Sequence, residues 1–256
     1  MRINNVVNYE PNLIMTTIYN QILQSKKSNQ KLLAILLDPD KTDLNSIDLL
    51  CEKINQSPAT HIFIGGSQVN TNILDELIFK IKEICVLPII LFPGNPSQIS
   101  SQADAILFLS LISGRNSDFL IDHQVNAVPI LKKTNLEIIS TGYILVEGGK
   151  KTAVEKVSQT KPLSKNNPEY ILQTSQAGEM LGNKLIYLEA GSGANEAIPV
   201  SIINLVSKNI QIPVIVGGGI KSFTEIEKAH KAGADIVVIG TAFEKDANFF
   251  DLLPKT

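Results

Sequence analysis

The sequence predicts a single α/β domain over residues 1–256, built as a (β/α)₈ TIM barrel with an extra helix at its N-terminus. Eight short apolar runs alternate with segments whose apolar residues recur at helical spacing. Apolar runs without strict alternation suit strands that are buried on both faces, as in a parallel sheet. Eight such units favour a barrel over a doubly wound sheet, and barrels use roughly 250 residues as one domain.

The predicted strands are rich in β-branched residues, and most end at polar or glycine residues. They cover residues 32–37, 61–64, 89–92, 105–109, 137–146, 185–188, 214–216 and 236–239. Helical spacing of apolar residues predicts helices around 47–54, 73–78 and 198–206, and the extra N-terminal helix over 12–28. Ser222 and Glu225 have the spacing of a capping box, which predicts a helix that begins after Ser222 and closes at Gly233.

The longest irregular stretch covers residues 148–167 and is rich in Lys, Thr, Ser and Asn. In a compact barrel a loop of this length is more often an active-site cover than a linker. We therefore expect this segment to cover the active site.

Composition excludes several classes of function. The net charge of −2 provides no basic field for nucleic acid. No run approaches the roughly 18 apolar residues of a membrane-spanning helix, and residues 1–5 lack the apolar core of a signal peptide. We expect a soluble cytoplasmic protein, in which Cys51 and Cys85 are reduced, buried thiols.

Glycine-rich loops follow the last three predicted strands, where the active site of such a barrel lies. They contain Gly191 and Gly193, then Gly218 and Gly219, then Gly240. Glycine lets backbone N–H groups approach a phosphate closely, and the loops after strands 7 and 8 are the recurring phosphate site of this architecture. Each loop alone can be a tight turn, but adjacent loops of this kind favour phosphate binding.

Acidic residues follow the first strand, and two interpretations of them remain open. Asp38 can hold a hard cation such as Mg²⁺, with Ser67 supplying a further oxygen. Alternatively Asp38 makes a turn contact and Asp40 caps the following helix. The capping interpretation is favoured for Asp40, and neither is favoured for Asp38.

Glu189 stands at the end of the sixth predicted strand, after Tyr187. A carboxylate at this place can bind a substrate hydroxyl and accept its proton. The alternative is a salt bridge inside the barrel, for which Lys41 is one partner.

Taken together, these loops resemble the geranylgeranylglyceryl phosphate synthase family, over roughly residues 32–243. The resemblance is strongest to the larger branch found in archaea and Bacteroidetes. The most specific segments are Leu-Asp-Pro-Asp-Lys at 37–41 and Tyr-Leu-Glu-Ala-Gly-Ser-Gly at 187–193, supported by Gly-Gly-Ser at 65–67, Phe-Pro-Gly-Asn at 92–95, Thr-Gly-Tyr-Ile-Leu-Val-Glu at 141–147 and Val-Gly-Gly-Gly-Ile at 216–220. Two segments depart from common family forms: Ser-Gly-Arg-Asn at 113–116 replaces Asn-Ser-Arg-Asn, and Gly-Thr at 240–241 replaces Gly-Asn.

The resemblance implies a prenyltransferase that joins a prenyl diphosphate to the free hydroxyl of sn-glycerol 1-phosphate and forms an ether. It places Mg²⁺ on Asp38 and Ser67, next to the prenyl diphosphate. It makes Glu189 and Asp38 the catalytic residues, with Glu189 orienting or deprotonating the hydroxyl. The implied glycerol-phosphate site comprises Tyr187, Leu188, Glu189, Ala190, Gly191, Ser192, Gly193, Gly218, Gly219, Gly240 and Thr241.

The expected prenyl tail needs a long apolar groove, which can load from a membrane surface through transient contact without a spanning segment. We also expect a homo-oligomer. Two other functions remain open: another phosphate-binding barrel enzyme, such as a sugar-phosphate isomerase or synthase, and a non-catalytic barrel that senses a phosphorylated ligand. The first would use a paired acid and base in place of the acidic metal loop.

Overall fold

The computed structural model of the chain describes residues 17–66 and 73–250. These residues form a closed barrel of eight parallel strands in sequence order, with β8 hydrogen-bonded to β1. The strands are β1 (Leu32–Leu37), β2 (His61–Ile64), β3 (Ile89–Leu91), β4 (Ala105–Leu111), β5 (Glu137–Leu145), β6 (Leu185–Glu189), β7 (Val214–Gly217) and β8 (Ile236–Ile239). The predicted fold class is therefore confirmed.

All eight predicted strands are present, and their ends differ by at most two residues from the prediction. β3 stops at Leu91 although the Phe92 N–H still donates to the Ile64 carbonyl, because the following Pro93 has no N–H to continue the ladder. β4 continues to Leu111 because Ser110 and Leu111 still pair with β5.

The chain forms only a 3₁₀ turn, Pro96–Gln98, after β3, whereas α-helices follow each of the remaining strands and one more precedes β1. They are α1 (Ile18–Lys27), α2 (Ile47–Gln56), α3 (Leu74–Ile84), α4 (His123–Leu131), α5 (Ala153–Ser158), α6 (Pro168–Met180), α7 (Val200–Asn209), α8 (Phe223–Lys231) and α9 (Thr241–Lys245). The predicted capping box begins α8: the Ser222 hydroxyl accepts the Glu225 N–H, and the Glu225 carboxylate accepts the Ser222 N–H. None of the described helices is long and apolar enough to cross a bilayer.

The extra N-terminal helix is present as α1, and residues 12–16 of the predicted span lie outside the described residues. The first N–H groups of α1, on Ile18 and Tyr19, donate to the Glu137 carboxylate at the start of β5. Lys26, in its last turn, pairs with Asp235 just before β8 at 3.0 Å. Both acceptors lie where strands begin, so α1 packs against the end of the barrel opposite the carboxyl ends of the strands.

Residues 148–167 are less irregular than predicted. They contain α5, whose N-cap residue Thr152 accepts the Glu155 N–H, and Leu163 forms a bridge to Val146 beyond the end of β5. The helix is only six residues long, too short to produce a clear apolar period in a polar stretch. Elsewhere, Cys51 and Cys85 are free and buried, as expected.

Three aromatic rings fill the barrel just below the carboxyl ends of the strands. Phe92 stacks on Tyr187 with ring centroids 5.2 Å apart, and Tyr143 meets Tyr187 edge-on at 5.4 Å. Offset and edge-on arrangements are the favoured ones for aromatic pairs, so the three rings pack closely together inside the barrel. The side chains at the carboxyl ends of the strands lie above these rings.

Candidate active site

A cavity of about 710 Å³ opens at the carboxyl ends of the strands, within the size range of small-molecule sites. The loop after β1 contributes Asp38 and Lys41, and the end of β6 contributes Glu189. The loops after β7 and β8 contribute Gly218 and Thr241. The closed barrel therefore brings the predicted acidic loop and the predicted phosphate loops into one space.

The predicted glycerol-phosphate residues fall into two sets. Those that line the cavity are Tyr187, Glu189, Ser192, Gly193, Gly218, Gly219, Gly240 and Thr241. The side chains of Leu188 and Ala190 are instead buried in the layer between barrel and helices. Successive strand residues point to opposite faces, so the side chains of these two residues point away from the site. Gly191 contributes through its N–H, which donates to Glu189.

Glu189 is the buried acid of this cavity, with 4% of its surface exposed. Its Oε1 accepts the Gly191 N–H at 2.6 Å. Burial raises the pKa of this carboxyl to about 7, while the Gly191 N–H and Tyr187 act in the opposite direction. Lys41 pairs with Asp38 and Glu244 rather than with Glu189, so the alternative of a salt bridge with Lys41 is wrong. A carboxyl with a pKa near neutrality is suited to accept a proton from a substrate.

The Tyr187 hydroxyl is a second polar group at the base of the cavity. It is fully buried and has no hydrogen-bond partner of good geometry among the described residues. Burial raises the pKa of Tyr187, and the nearby Glu189 charge raises it further. Buried hydroxyl groups in folded proteins are nearly always hydrogen-bonded, so a ligand polar atom is a natural partner for this one.

The glycine loops are shaped by close contacts that exclude a side chain. Gly218 has a φ of +76°, and a Cβ on it would lie 2.3 Å from Glu189 Oε1. Gly191 has a φ of +97°, and a Cβ there would lie 2.1 Å from the Thr152 side chain. Both positions require glycine, since other residues rarely adopt this backbone conformation and no space remains for a side chain. The loops are thus fixed close to Glu189, with their N–H groups near the cavity.

Asp38, Lys41 and Glu244 form a charged cluster at the other end of the cavity. The Lys41 ammonium lies 2.6 Å from Asp38 Oδ2 and 3.7 Å from Glu244 Oε2. The Asp38 N–H donates to Glu244 Oε1 at 3.3 Å. Burial is the main cause that raises the pKa of Glu244. Sequence analysis missed Glu244, whose only signal was its position one helical turn after Gly240 in the loop of the last strand.

The two interpretations of the acidic loop fare differently. The capping interpretation of Asp40 is wrong, since α2 begins at Ile47 after the N-cap residue Ser46. The turn contact of Asp38 is confirmed, because its Oδ1 accepts the Asp40 N–H at 3.2 Å. Among the described residues no group of three or more His, Cys, Asp or Glu side chains has the arrangement of a metal site. Ser67 lies outside those residues.

The donor set nevertheless fits a hard cation. Carboxylate oxygens of Asp38 and Glu244 both lie close to the Lys41 ammonium, so a positive charge already occupies the position between them. A Cβ on Gly66 would lie 3.2 Å from Asp38 Oδ1. A side chain at this position would therefore crowd the Asp38 carboxylate, which glycine leaves accessible. Mg²⁺ prefers such carboxylate oxygens together with substrate phosphates.

An apolar pocket adjoins the cavity. Phe92, Tyr143 and Val154 line both spaces. The apolar pocket is lined further by Leu109 and Phe119, among other mostly apolar residues. Val154 belongs to α5, so the 148–167 segment contributes to the walls of both spaces.

The chain is similar to several known proteins. A family model described as the PcrB family matches residues 22–254. A geranylgeranylglyceryl phosphate synthase from Flavobacterium johnsoniae is 63% identical over 238 residues, which cover 93% of this chain and 98% of that protein. One from Korarchaeum cryptofilum is 39% identical over 220 residues, which cover 86% and 90%.

The fold is also similar to a solved structure. A crystal structure of (S)-3-O-geranylgeranylglyceryl phosphate synthase from Thermoplasma acidophilum, in complex with its substrate sn-glycerol-1-phosphate, superposes with a TM-score of 0.86. The two chains are 30% identical, and the match covers 92% of this chain and 94% of that one.

Proposed function

Because the chain belongs to the PcrB family, we infer that it is a prenyltransferase of the geranylgeranylglyceryl phosphate synthase type. It joins sn-glycerol 1-phosphate to a prenyl diphosphate and releases an ether-linked prenylglyceryl phosphate and diphosphate. The observation that carries this assignment is the position of Glu189: a buried carboxyl with a pKa of about 7 stands between glycine loops and an acidic loop in one cavity.

Glycerol phosphate is bound by the loops after β6, β7 and β8. Backbone N–H groups near Gly193, Gly219 and Gly240 face the phosphate, as is usual for phosphate sites in this architecture. The unsatisfied Tyr187 hydroxyl and the Glu189 carboxylate contact the glycerol hydroxyl groups. This arrangement holds the attacking hydroxyl in one orientation, which lowers the entropic barrier to the reaction.

The prenyl diphosphate is placed with its diphosphate at the acidic end of the cavity. Asp38, Glu244 and Ser67 would hold Mg²⁺ there, and the cation would offset the charge of the leaving diphosphate. Lys41 lies between the two carboxylates and would have to turn away from Asp38 to leave room for a cation. Its ammonium is then available to the diphosphate.

Glu189 acts as the base of the reaction. The glycerol hydroxyl oxygen forms a bond to the allylic carbon, while the bond from that carbon to the diphosphate oxygen breaks and leaves its electron pair on the diphosphate. The hydroxyl proton passes to the Glu189 carboxylate. A carboxylate with a pKa of about 7 is strong enough as a base and is ionised in a useful fraction at neutral pH.

The apolar pocket next to Phe92 and Tyr143 receives the first part of the prenyl chain. Segment 148–167 covers it, since α5 contributes Val154 and Val157 to its wall. Asn116 holds this segment by donating to the Ser158 carbonyl at 2.9 Å. The cytoplasmic location and the homo-oligomeric state expected from the sequence stay predictions.

The test is to incubate the protein with labelled sn-glycerol 1-phosphate, Mg²⁺ and a ladder of prenyl diphosphates, and to identify the lipid product and its chain length. Matched reactions contain sn-glycerol 3-phosphate, a chelator in place of Mg²⁺, or the Glu189→Gln variant, and each is expected to lose product. A non-catalytic phosphate-binding barrel would bind glycerol phosphate and yield no product with any donor. That outcome would refute the proposed function.

A further inference from the structure

Lys150, in the segment that precedes α5, stands over the loop that follows β6. Its Nζ lies 3.3 Å from the position that a Cβ on Gly193 would occupy. Gly193 lines the cavity and belongs to the proposed phosphate loop. The Lys150 ammonium therefore lies beside the Gly193 backbone, whose only polar groups are its N–H and its carbonyl.

The backbone on both sides of Lys150 is fixed to that same loop. The Gly148 carbonyl accepts the N–H groups of Asn195 and Glu196, at 2.9 and 3.2 Å. The Gly149 carbonyl accepts the Asn195 side-chain amide at 3.2 Å. On the other side, Thr152 packs against Gly191 so closely that no Cβ fits there. The backbone around Lys150 is thus anchored to the loop beside which its side chain lies.

The charge of Lys150 has no counter-charge among the described residues. The two other lysines that reach this loop are already engaged: Lys165 pairs with Glu196, and Lys221 donates to the Asn195 carbonyl at 2.7 Å. No carboxylate among the described residues forms an ion pair with Lys150. A bound anion would supply the missing partner.

We propose that Lys150 binds the phosphate of the acceptor substrate and makes the site selective for a phosphorylated glycerol; this inference rests on the proposed function. Backbone N–H groups orient a phosphate but carry only partial charges, whereas an ammonium adds a full positive charge and a charge-assisted hydrogen bond. Lys150 comes from the 148–167 segment, so the segment that lines the apolar pocket also contacts the polar substrate. The diphosphate, at the Asp38 end, is not its ligand.

The test compares Lys150→Met with Lys151→Met, a matched loss of one exposed lysine at the next position, and with Lys150→Arg. Calorimetry without prenyl donor measures the affinity for sn-glycerol 1-phosphate. We expect Lys150→Met to weaken binding about fivefold, the upper scale of one exposed charge contact. KM for glycerol phosphate should rise by the same factor, with kcat and the KM for prenyl diphosphate unchanged. Lys151→Met should behave as wild type, and Lys150→Arg should recover part of the affinity.

Salt dependence separates a charge contact from a structural role. Added salt should weaken glycerol-phosphate binding more in wild type than in Lys150→Met, since screening acts on the charge that the variant lacks. Equal affinities in Lys150→Met and Lys151→Met, or an equal loss of affinity for prenyl diphosphate, would overturn the inference. Failure of the wild-type protein to bind sn-glycerol 1-phosphate would instead refute the proposed function, so the two failures are distinguishable.

Discussion

Replacing Glu189 with glutamine should remove a pH-dependent loss of stability. Glutamine keeps the size of the side chain and an oxygen that accepts the Gly191 N–H, but it does not titrate. In the folded protein, burial raises the pKa of the Glu189 carboxyl from its ordinary 4.5 to about 7. At about 1.4 kcal/mol for each pKa unit, this difference corresponds to about 3 kcal/mol of unfolding free energy.

The sign of this pH dependence follows from which state of the protein, folded or unfolded, binds the Glu189 proton more tightly. The folded protein holds the Glu189 proton more tightly than the unfolded chain does, so this contribution is fully present below pH 4.5 and is lost as the pH rises through about 7. Between these limits the wild-type unfolding free energy should fall by about 3 kcal/mol relative to Glu189→Gln. Above the upper limit the variant should be the more stable protein.

Urea unfolding followed by circular dichroism, at a series of pH values across this window, measures the difference. Glu76→Gln is the matched control, because Glu76 lies on α3 with its side chain 58% exposed. The control should keep the wild-type dependence on pH. If Glu189→Gln has the same pH dependence as wild type, the carboxyl does not titrate near neutrality in the folded protein. Its proposed action as a base with a raised pKa would then be wrong.

Four further outcomes are expected. In wild type, kcat/KM should rise with pH through an apparent pKa of about 7 as Glu189 ionises, and a flat profile would contradict its role as base. Tyr187→Phe should leave the urea-unfolding free energy unchanged or raise it by up to about 1 kcal/mol, since its buried hydroxyl makes no hydrogen bond of good geometry with the described residues, whereas KM for glycerol phosphate rises. Asp38→Asn should lower Mg²⁺-dependent turnover on the order of 100-fold or more, while calorimetry still detects glycerol-phosphate binding; unchanged turnover would refute the metal assignment. Gly218→Ala should lower kcat on the order of 100-fold, because a Cβ 2.3 Å from Glu189 Oε1 displaces the carboxyl.

The barrel was predictable because its strands carry an unambiguous signal. Most of its strands are buried on both faces and are continuous apolar runs, such as Leu32–Leu37 and Ile236–Ile239, and each run stops where the chain reaches the polar cavity. For this reason Glu189 and the glycine loops could be found from the sequence. Local turn geometry was harder to predict: nine residues, 38–46, separate β1 from α2, so Asp40 lies too far from the helix to cap it, and Ser46 is the N-cap residue instead.

Contacts between distant parts of the chain could not be predicted in the same way. Glu244 reaches the Asp38 N–H across 206 residues of sequence, and it does so only because β8 pairs with β1 and closes the barrel. Lys150 stands over Gly193 because hydrogen bonds join Gly148 to Asn195 and Glu196. Neither Glu244 nor Lys150 belongs to a sequence motif, because their contacts depend on how the closed sheet places distant segments and not on their spacing along the chain.

Charge differs between the two ends of the cavity, and this difference supports the proposal that each substrate binds at its own end. At the β1 end, two carboxylates, Asp38 and Glu244, face one ammonium, Lys41, so no net positive charge is available for a diphosphate. Asp38 and Glu244 would hold a Mg²⁺ there, and such a cation would offset the charge of the diphosphate. At the β6 end, backbone N–H groups and Lys150, which forms no ion pair with the described residues, are the positive groups that we propose for a monophosphate, without a cation. Glu189 lines the same cavity as both ends, and we propose that the bond between the substrates forms beside it, where the hydroxyl proton can reach its carboxylate.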